Sequence, residues 1–265
     1  MKFHRLGSLD GPAMVCLHGF LGRAGDWSAF AREWLLQYPD WRILAVELPG
    51  HDERPACDLE EFIKRLVALL DSETIRSCVL AGYSMGGRLA LHAALRFPER
   101  FPFFLGVSTS AGLEDRETRR EADRRVAARL RSCDQGGFRE FLSDWWNLPV
   151  FDSPKKSPEA LERFLASRAN HDPVLLADCL ELWSPGVLES LWDQLPEYPG
   201  RAFLAAGACD LKYVELAKRM AAAFQNAEVA VLPNCGHRLL DEDPRGLARE
   251  LRNWPSALPT LASPP

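Results

Sequence analysis

The sequence has no Cys-x-x-Cys pair, no apolar run long enough to cross a bilayer and no excess of positive charge, and each absence removes a class of function. Its seven cysteines are scattered singles, an odd number that suits reduced thiols and argues against a disulfide framework or a structural zinc site. The longest apolar runs, such as 202–208, fall far below the ~18 residues of a spanning helix. No charged-then-apolar leader precedes Ala13, so a soluble, cytoplasmic protein without membrane insertion is expected. Lys plus Arg number 32 against 37 Asp plus Glu, a formal charge of −5, which gives no general attraction to nucleic acid. Neither a metal-ligand cluster nor a dinucleotide fingerprint is present, so no cofactor is expected. What remains is a chain of 265 residues, 47% hydrophobic and 26% charged, enough for one substantial core carrying an insertion.

Short apolar runs at Ala13–Leu17, Arg42–Val46 and Cys78–Ala81 each end at Gly or Pro and read as buried strands, and Phe103–Val107, Ala202–Ala206 and Val229–Leu232 add three more. Between them lie helical patterns at Trp27–Tyr38, Leu59–Leu70, Gly86–Arg96, Tyr213–Phe224 and Arg245–Asn253. This alternation predicts an α/β fold, a mostly parallel sheet with helices on both faces and sites at the C-terminal ends of the strands. The stretch from Glu114 to Leu195 breaks the rhythm. It is helical in pattern, rich in Arg and Trp and without a convincing strand, so a helical lid insertion at 114–195 is expected to roof a core formed by 1–113 and 196–258. Residues 259–265 form a Pro-rich tail.

Gly82-Tyr83-Ser84-Met85-Gly86 fits Gly-x-Ser-x-Gly and stands directly between a strand and a helix. The flanking glycines allow the sharp turn, which forces Ser84 into a strained conformation with its hydroxyl at the helix N-terminus. A serine needs an imidazole to take its proton. Of the six histidines, His237 follows the last strand on a loop before the final helix, while His4, His51, His92 and His171 lack such a setting and read as surface or packing residues. Asp210, after the strand at Ala202–Ala206, is placed to orient the base. The order Ser84, Asp210, His237 is that of the α/β-hydrolase fold. In that fold the loop His18-Gly19-Phe20-Leu21-Gly22 gives one backbone N–H to an oxyanion hole, here from Phe20, and Met85 gives the second, with His18 bracing the loop.

The stretches His18-Gly19-Phe20-Leu21-Gly22, Gly82-Tyr83-Ser84-Met85-Gly86-Gly87-Arg88 and Ser110-Ala111-Gly112-Leu113, then Asp144-Trp145-Trp146 with Pro149-Val150-Phe151, resemble the 2-succinyl-6-hydroxy-2,4-cyclohexadiene-1-carboxylate synthases of menaquinone biosynthesis, the MenH family. The likeness continues through Arg168, Asp210 and His237. Trp146 stands where the family pattern usually has Tyr. The resemblance implies a lyase acting on an enolpyruvyl succinyl cyclohexadiene carboxylate precursor: a ring proton is removed, the double bonds rearrange and the enolpyruvyl group leaves as pyruvate. Ser84, made basic by His237 and Asp210, would take the proton, and the Phe20 and Met85 N–H groups would stabilise charge developing on the conjugated carboxylate.

A small-molecule polycarboxylate substrate requires arginines able to grip carboxylates bidentately. Arg88 lies one helical turn after Ser84. On the first insertion helix a buried stripe of Ala122, Val126 and Leu130 puts Arg119 near its middle and Arg120 and Arg124 away from it. Arg119 is therefore the expected substrate contact, with Asp115 and Asp123 as possible structural partners instead. Arg168 matches a substrate-binding Arg of the family, and Trp145 and Tyr83 would supply an apolar wall and a hydroxyl donor. The alternatives are a serine hydrolase acting on esters, thioesters or carbon–carbon bonds with the same triad, and, less favoured, a non-catalytic binding member of the fold.

Overall fold

Seven strands form one sheet because the apolar runs of the sequence are buried on both sides. The computed structural model describes residues 1–252. The strands are β1 (Lys2–Gly7), β2 (Ala13–Leu17), β3 (Arg42–Glu47), β4 (Val79–Tyr83), β5 (Phe103–Val107), β6 (Arg201–Gly207) and β7 (Ala227–Leu232). Their order is β1-β3-β2-β4-β5-β6-β7. Every pairing is parallel except that of β1 with β3.

Alternate side chains of each central strand enter opposite cores, as the two-residue period of a strand requires. Val15, Leu17, Leu44 and Val46 join one apolar cluster, and Met14, Cys16, Ile43 and Ala45 the other. Helices α1 (Ser28–Gln37), α2 (Leu59–Ser72) and α3 (Met85–Arg96) alternate with the first strands. Asp58 caps α2 by accepting the Glu61 N–H at 2.8 Å. α3 and α2 cover the first cluster and α1 the second.

Between β5 and β6 the described residues form helices and no strand: α4 (Glu117–Arg131), α5 (Gln135–Trp146), α6 (Pro158–Arg168) and α7 (Pro173–Trp183). They bury an apolar cluster of their own, built from Ala127, Leu130, Phe138, Phe141 and Leu176, and Leu21 of the loop after β2 is part of it. The roof is therefore packed directly on the loop that carries Phe20. The remaining helices are α8 (Leu211–Ala223), α9 (Leu239–Glu242) and α10 (Pro244–Glu250).

β1 was not expected from the sequence. It is an edge strand whose Lys2, His4 and Arg5 face water, so it carries no continuous apolar run. The stripe on α4 also differs from expectation: Ala122 is exposed, and the buried line is Asp123, Ala127 and Leu130. A charged residue occupies the buried face, so polarity alone misplaced that face by one residue. The last helix ends at Glu250, three residues before the expected Asn253; Asn253 and the Pro-rich tail lie outside the described residues.

Candidate functional site

The parallel strands end on one side of the sheet, and the loops that leave those ends converge there. Ser84 sits between β4 and α3 at φ 50°, ψ −111°, a strained backbone for a non-glycine residue. The strain is held in place from three sides. Ser84 N–H donates to Val107 O at 2.9 Å, its carbonyl accepts the Thr109 hydroxyl at 2.8 Å, and two glycines let α3 lie against the strands. A Cβ on Gly82 would meet Gly86 O at 2.4 Å, and one on Gly86 would meet His18 O at 2.3 Å.

Asp210 N-caps α8 after β6, and His237 follows β7. His237 Nδ1–H donates to Asp210 Oδ2 at 2.7 Å, which leaves Nε2 to accept the Ser84 hydroxyl at 3.1 Å. Both partners of the ion pair are buried. The imidazole is fixed by rings as well: Tyr213 lies edge-on at 4.4 Å between centroids, with Tyr83 at 5.5 Å and Phe151 at 5.6 Å. Tyr213 stands one helical turn after Asp210, which is the one sequence signal that could have marked it. Burial pushes the Tyr83 and Tyr213 phenols above their usual range, so both remain neutral hydroxyls.

The loop after β2 is braced by histidines. His18 Nδ1–H donates to Gly19 O at 2.8 Å while Nε2 accepts the Leu48 N–H at 3.1 Å. His51 Nε2 accepts the Leu21 N–H at 3.2 Å, and Leu21 itself has φ 59°. Burial brings His18 down to about 3, which matches a ring that must accept a hydrogen bond. Among the described residues neither the Phe20 nor the Met85 N–H donates to any protein acceptor. Both are free for a ligand.

A cavity of about 70 Å³ lies above Ser84, lined by Phe20, Tyr83, Trp145, Arg168 and His237 among others. Trp145 packs on Phe20 with ring centroids 5.3 Å apart. Arg168 reaches in from α6 with its Nε–H on Leu21 O at 3.1 Å and a terminal N–H on Asp26 Oδ2 at 2.7 Å, so it ties the roof to the loop of Phe20. Arg88 and Arg119 do not line this cavity. The Arg88 side chain is 8% exposed, its Nε has no partner, and burial lowers its pKa, with Tyr213, Arg119 and Asp123 as the charged or titratable neighbours. Arg119 donates to Asp123 Oδ2 at 2.8 Å and is 40% exposed, so its carboxylate partner is supplied by its own helix. Sequence reasoning missed Asp26, Arg238, Leu240 and Asp241, which also line the cavity.

A model of the alpha/beta hydrolase family matches residues 14–250. The putative 2-succinyl-6-hydroxy-2,4-cyclohexadiene-1-carboxylate synthase of Bacillus subtilis (strain 168) is 30% identical over 250 residues, covering 89% of each chain. The synthase of the same name from Serratia proteamaculans (strain 568) is 29% identical over 260 residues, 96% of each chain. Among solved structures, MenH from S. aureus superimposes with a TM-score of 0.85 at 26% identity, over 96% of this chain and 97% of that one. Likeness of this extent, running through both sheet and roof, means that the chain belongs to the alpha/beta hydrolase family and, within it, to the MenH family of 2-succinyl-6-hydroxy-2,4-cyclohexadiene-1-carboxylate synthases.

Proposed function

We propose that this chain is a carbon–oxygen lyase of menaquinone biosynthesis that forms 2-succinyl-6-hydroxy-2,4-cyclohexadiene-1-carboxylate and pyruvate from the enolpyruvyl precursor. The observation that carries the reading is the hydrogen-bonded run Ser84–His237–Asp210 beneath a roofed cavity flanked by buried arginine. The family likeness selects this reaction from those the run could perform.

The chemistry follows from the product's own structure. Elimination breaks one ring C–H and one ring C–O bond and adds one double bond, so a cyclohexadiene product comes from a cyclohexene ring, one double bond below the diene level expected from the resemblance. The succinyl group is an acyl group at C2, and C2 carries no hydrogen in the product. The C–H removed is therefore the one beside the acyl carbonyl. Ser84 Oγ, its own proton accepted by His237 Nε2, takes the C2 proton, and Asp210 stabilises the imidazolium that forms. Charge collects on the acyl carbonyl oxygen, where the free Phe20 and Met85 N–H groups would receive it, each such donor being worth ~3 kcal/mol. Collapse of this enolate pushes electrons through the ring double bond and breaks the C–O bond, and the enolpyruvate released takes up a proton as pyruvate. No covalent enzyme intermediate is needed. Arg168 in the cavity wall, fixed there by Leu21 O and Asp26, adds to the positive charge around the bound ring and helps to position it over Ser84.

The test supplies the purified protein with the enolpyruvyl precursor and follows diene absorbance and pyruvate together. Equimolar pyruvate and diene, lost in Ser84→Ala and strongly reduced in Asp210→Asn, is the expected result. Hydrolysis of simple esters without pyruvate release would make the chain a serine hydrolase of the same fold.

A further inference from the structure

Arg238, the residue after His237, is the cavity's unexplained charge. It is 7% exposed, it lines the cavity beside Ser84 and His237, and among the described residues its guanidinium makes no hydrogen bond. Its ion pair with Glu242 Oε1 is 3.7 Å long, beyond hydrogen-bond reach. Glu242 spends its other oxygen on the Ser153 hydroxyl and the Gly236 N–H. What holds the guanidinium is Trp146, over whose ring the Arg238 Cζ sits at 3.5 Å from the centroid. Trp146 is also the residue at which the sequence departs from the family pattern. A buried guanidinium held against an aromatic face leaves its planar fork of N–H donors unspent, and that fork is what a carboxylate accepts bidentately.

We propose that Arg238 binds the terminal carboxylate of the substrate's succinyl arm, an inference that rests on the lyase reading. The acyl carbonyl belongs at the Phe20 and Met85 N–H groups, so the two methylenes of the arm must run onward through apolar surroundings. Trp145, Phe151, Phe164 and Leu240 line the same cavity as Phe20 and Arg238 and supply such surroundings. Arg168, the other cationic residue in the lining, is already spent on Asp26 at 2.7 Å. Two carboxyl groups face the same space. Asp26 is neutralised by Arg168, and the Asp241 carboxyl is pushed up by burial and then by the charge of Asp26, which weakens the repulsion a bound carboxylate would meet. Tyr83 contributes a neutral hydroxyl.

The experiment compares the precursor with its succinyl methyl ester in wild type, Arg238→Met and Arg238→Lys, together with calorimetric titration of succinate alone. Wild type is expected to show a KM about 10- to 100-fold higher for the ester, the range set by a charge-assisted pair of hydrogen bonds. Arg238→Met is expected to show the same KM for both compounds, with Arg238→Lys between. A Met variant that still discriminates as wild type does overturns the proposal. Succinate carries the test if the precursor is not turned over: weaker binding by at least ~10-fold in Arg238→Met supports an Arg238 carboxylate site even where the lyase reading fails, and equal binding overturns it.

Discussion

Acid should unfold this protein through its buried histidines, and one of them can be removed to prove the point. His171 is buried where the roof meets the core. Its Nδ1–H donates to His51 O at 2.8 Å, and its Nε2 has no partner. Desolvation, then the charge of Arg23, brings it down to about 4. In the unfolded chain the same ring titrates near 6.5. Between those values the unfolded state binds a proton that the folded state refuses, so stability rises with pH and is lost as pH falls below ~6.5. At 1.36 kcal/mol per pH unit, going from 6.5 to 5 removes about 2 kcal/mol for this one ring. His18, brought down to about 3 by burial, loses a similar amount over the same window. In His171→Asn the amide can keep the hydrogen bond to His51 O while nothing titrates. Urea unfolding at pH 7 and pH 5 should show the loss on acidification shrinking by about 2 kcal/mol relative to wild type. An unchanged loss would refute the assignment of a neutral, buried His171.

Asp210→Asn keeps the shape beside His237 but removes the charge that stabilises its protonated form, and should lower kcat about 10³- to 10⁴-fold with a small change in KM; steady-state kinetics on the precursor checks this. Gly86→Ala forces a Cβ to within 2.3 Å of His18 O and 2.5 Å of Leu17 O. Neither backbone atom can yield without moving the strand, so the variant should lose folding cooperativity in a thermal melt. Trp183, the fully buried last residue of α7, packs edge-on to Phe62 of α2 at 5.3 Å between centroids. Trp183→Ala should cost about 3–5 kcal/mol in urea unfolding.

The parts of the fold that were legible in the sequence are those buried on both sides. β2, β3 and β5 have every residue buried, so each shows in the sequence as a short, largely apolar run. β1 escaped notice because an edge strand with one covered side needs little apolar sequence. In the site, Ser84, Asp210 and His237 were legible because each follows a recognisable strand, and a parallel sheet delivers strand ends to one place. Arg238, Asp26 and Asp241 come from loops and short turns whose meeting depends on packing, which leaves no periodic trace. Arg119 shows the limit of periodicity: its buried neighbour Asp123 is acidic, so the pair neutralises itself on one helix and the sequence alone left the substrate and the Asp123 readings both standing.

The proposed lyase reaction requires Ser84 to remove a ring proton instead of attacking a carbonyl, and turnover of a precursor deuterated at C2, followed together with intact enzyme mass, separates the two. A primary isotope effect on pyruvate release and an enzyme mass that stays unchanged throughout turnover are expected. Pyruvate release without an isotope effect, accompanied by an adduct on Ser84, would contradict that role of Ser84.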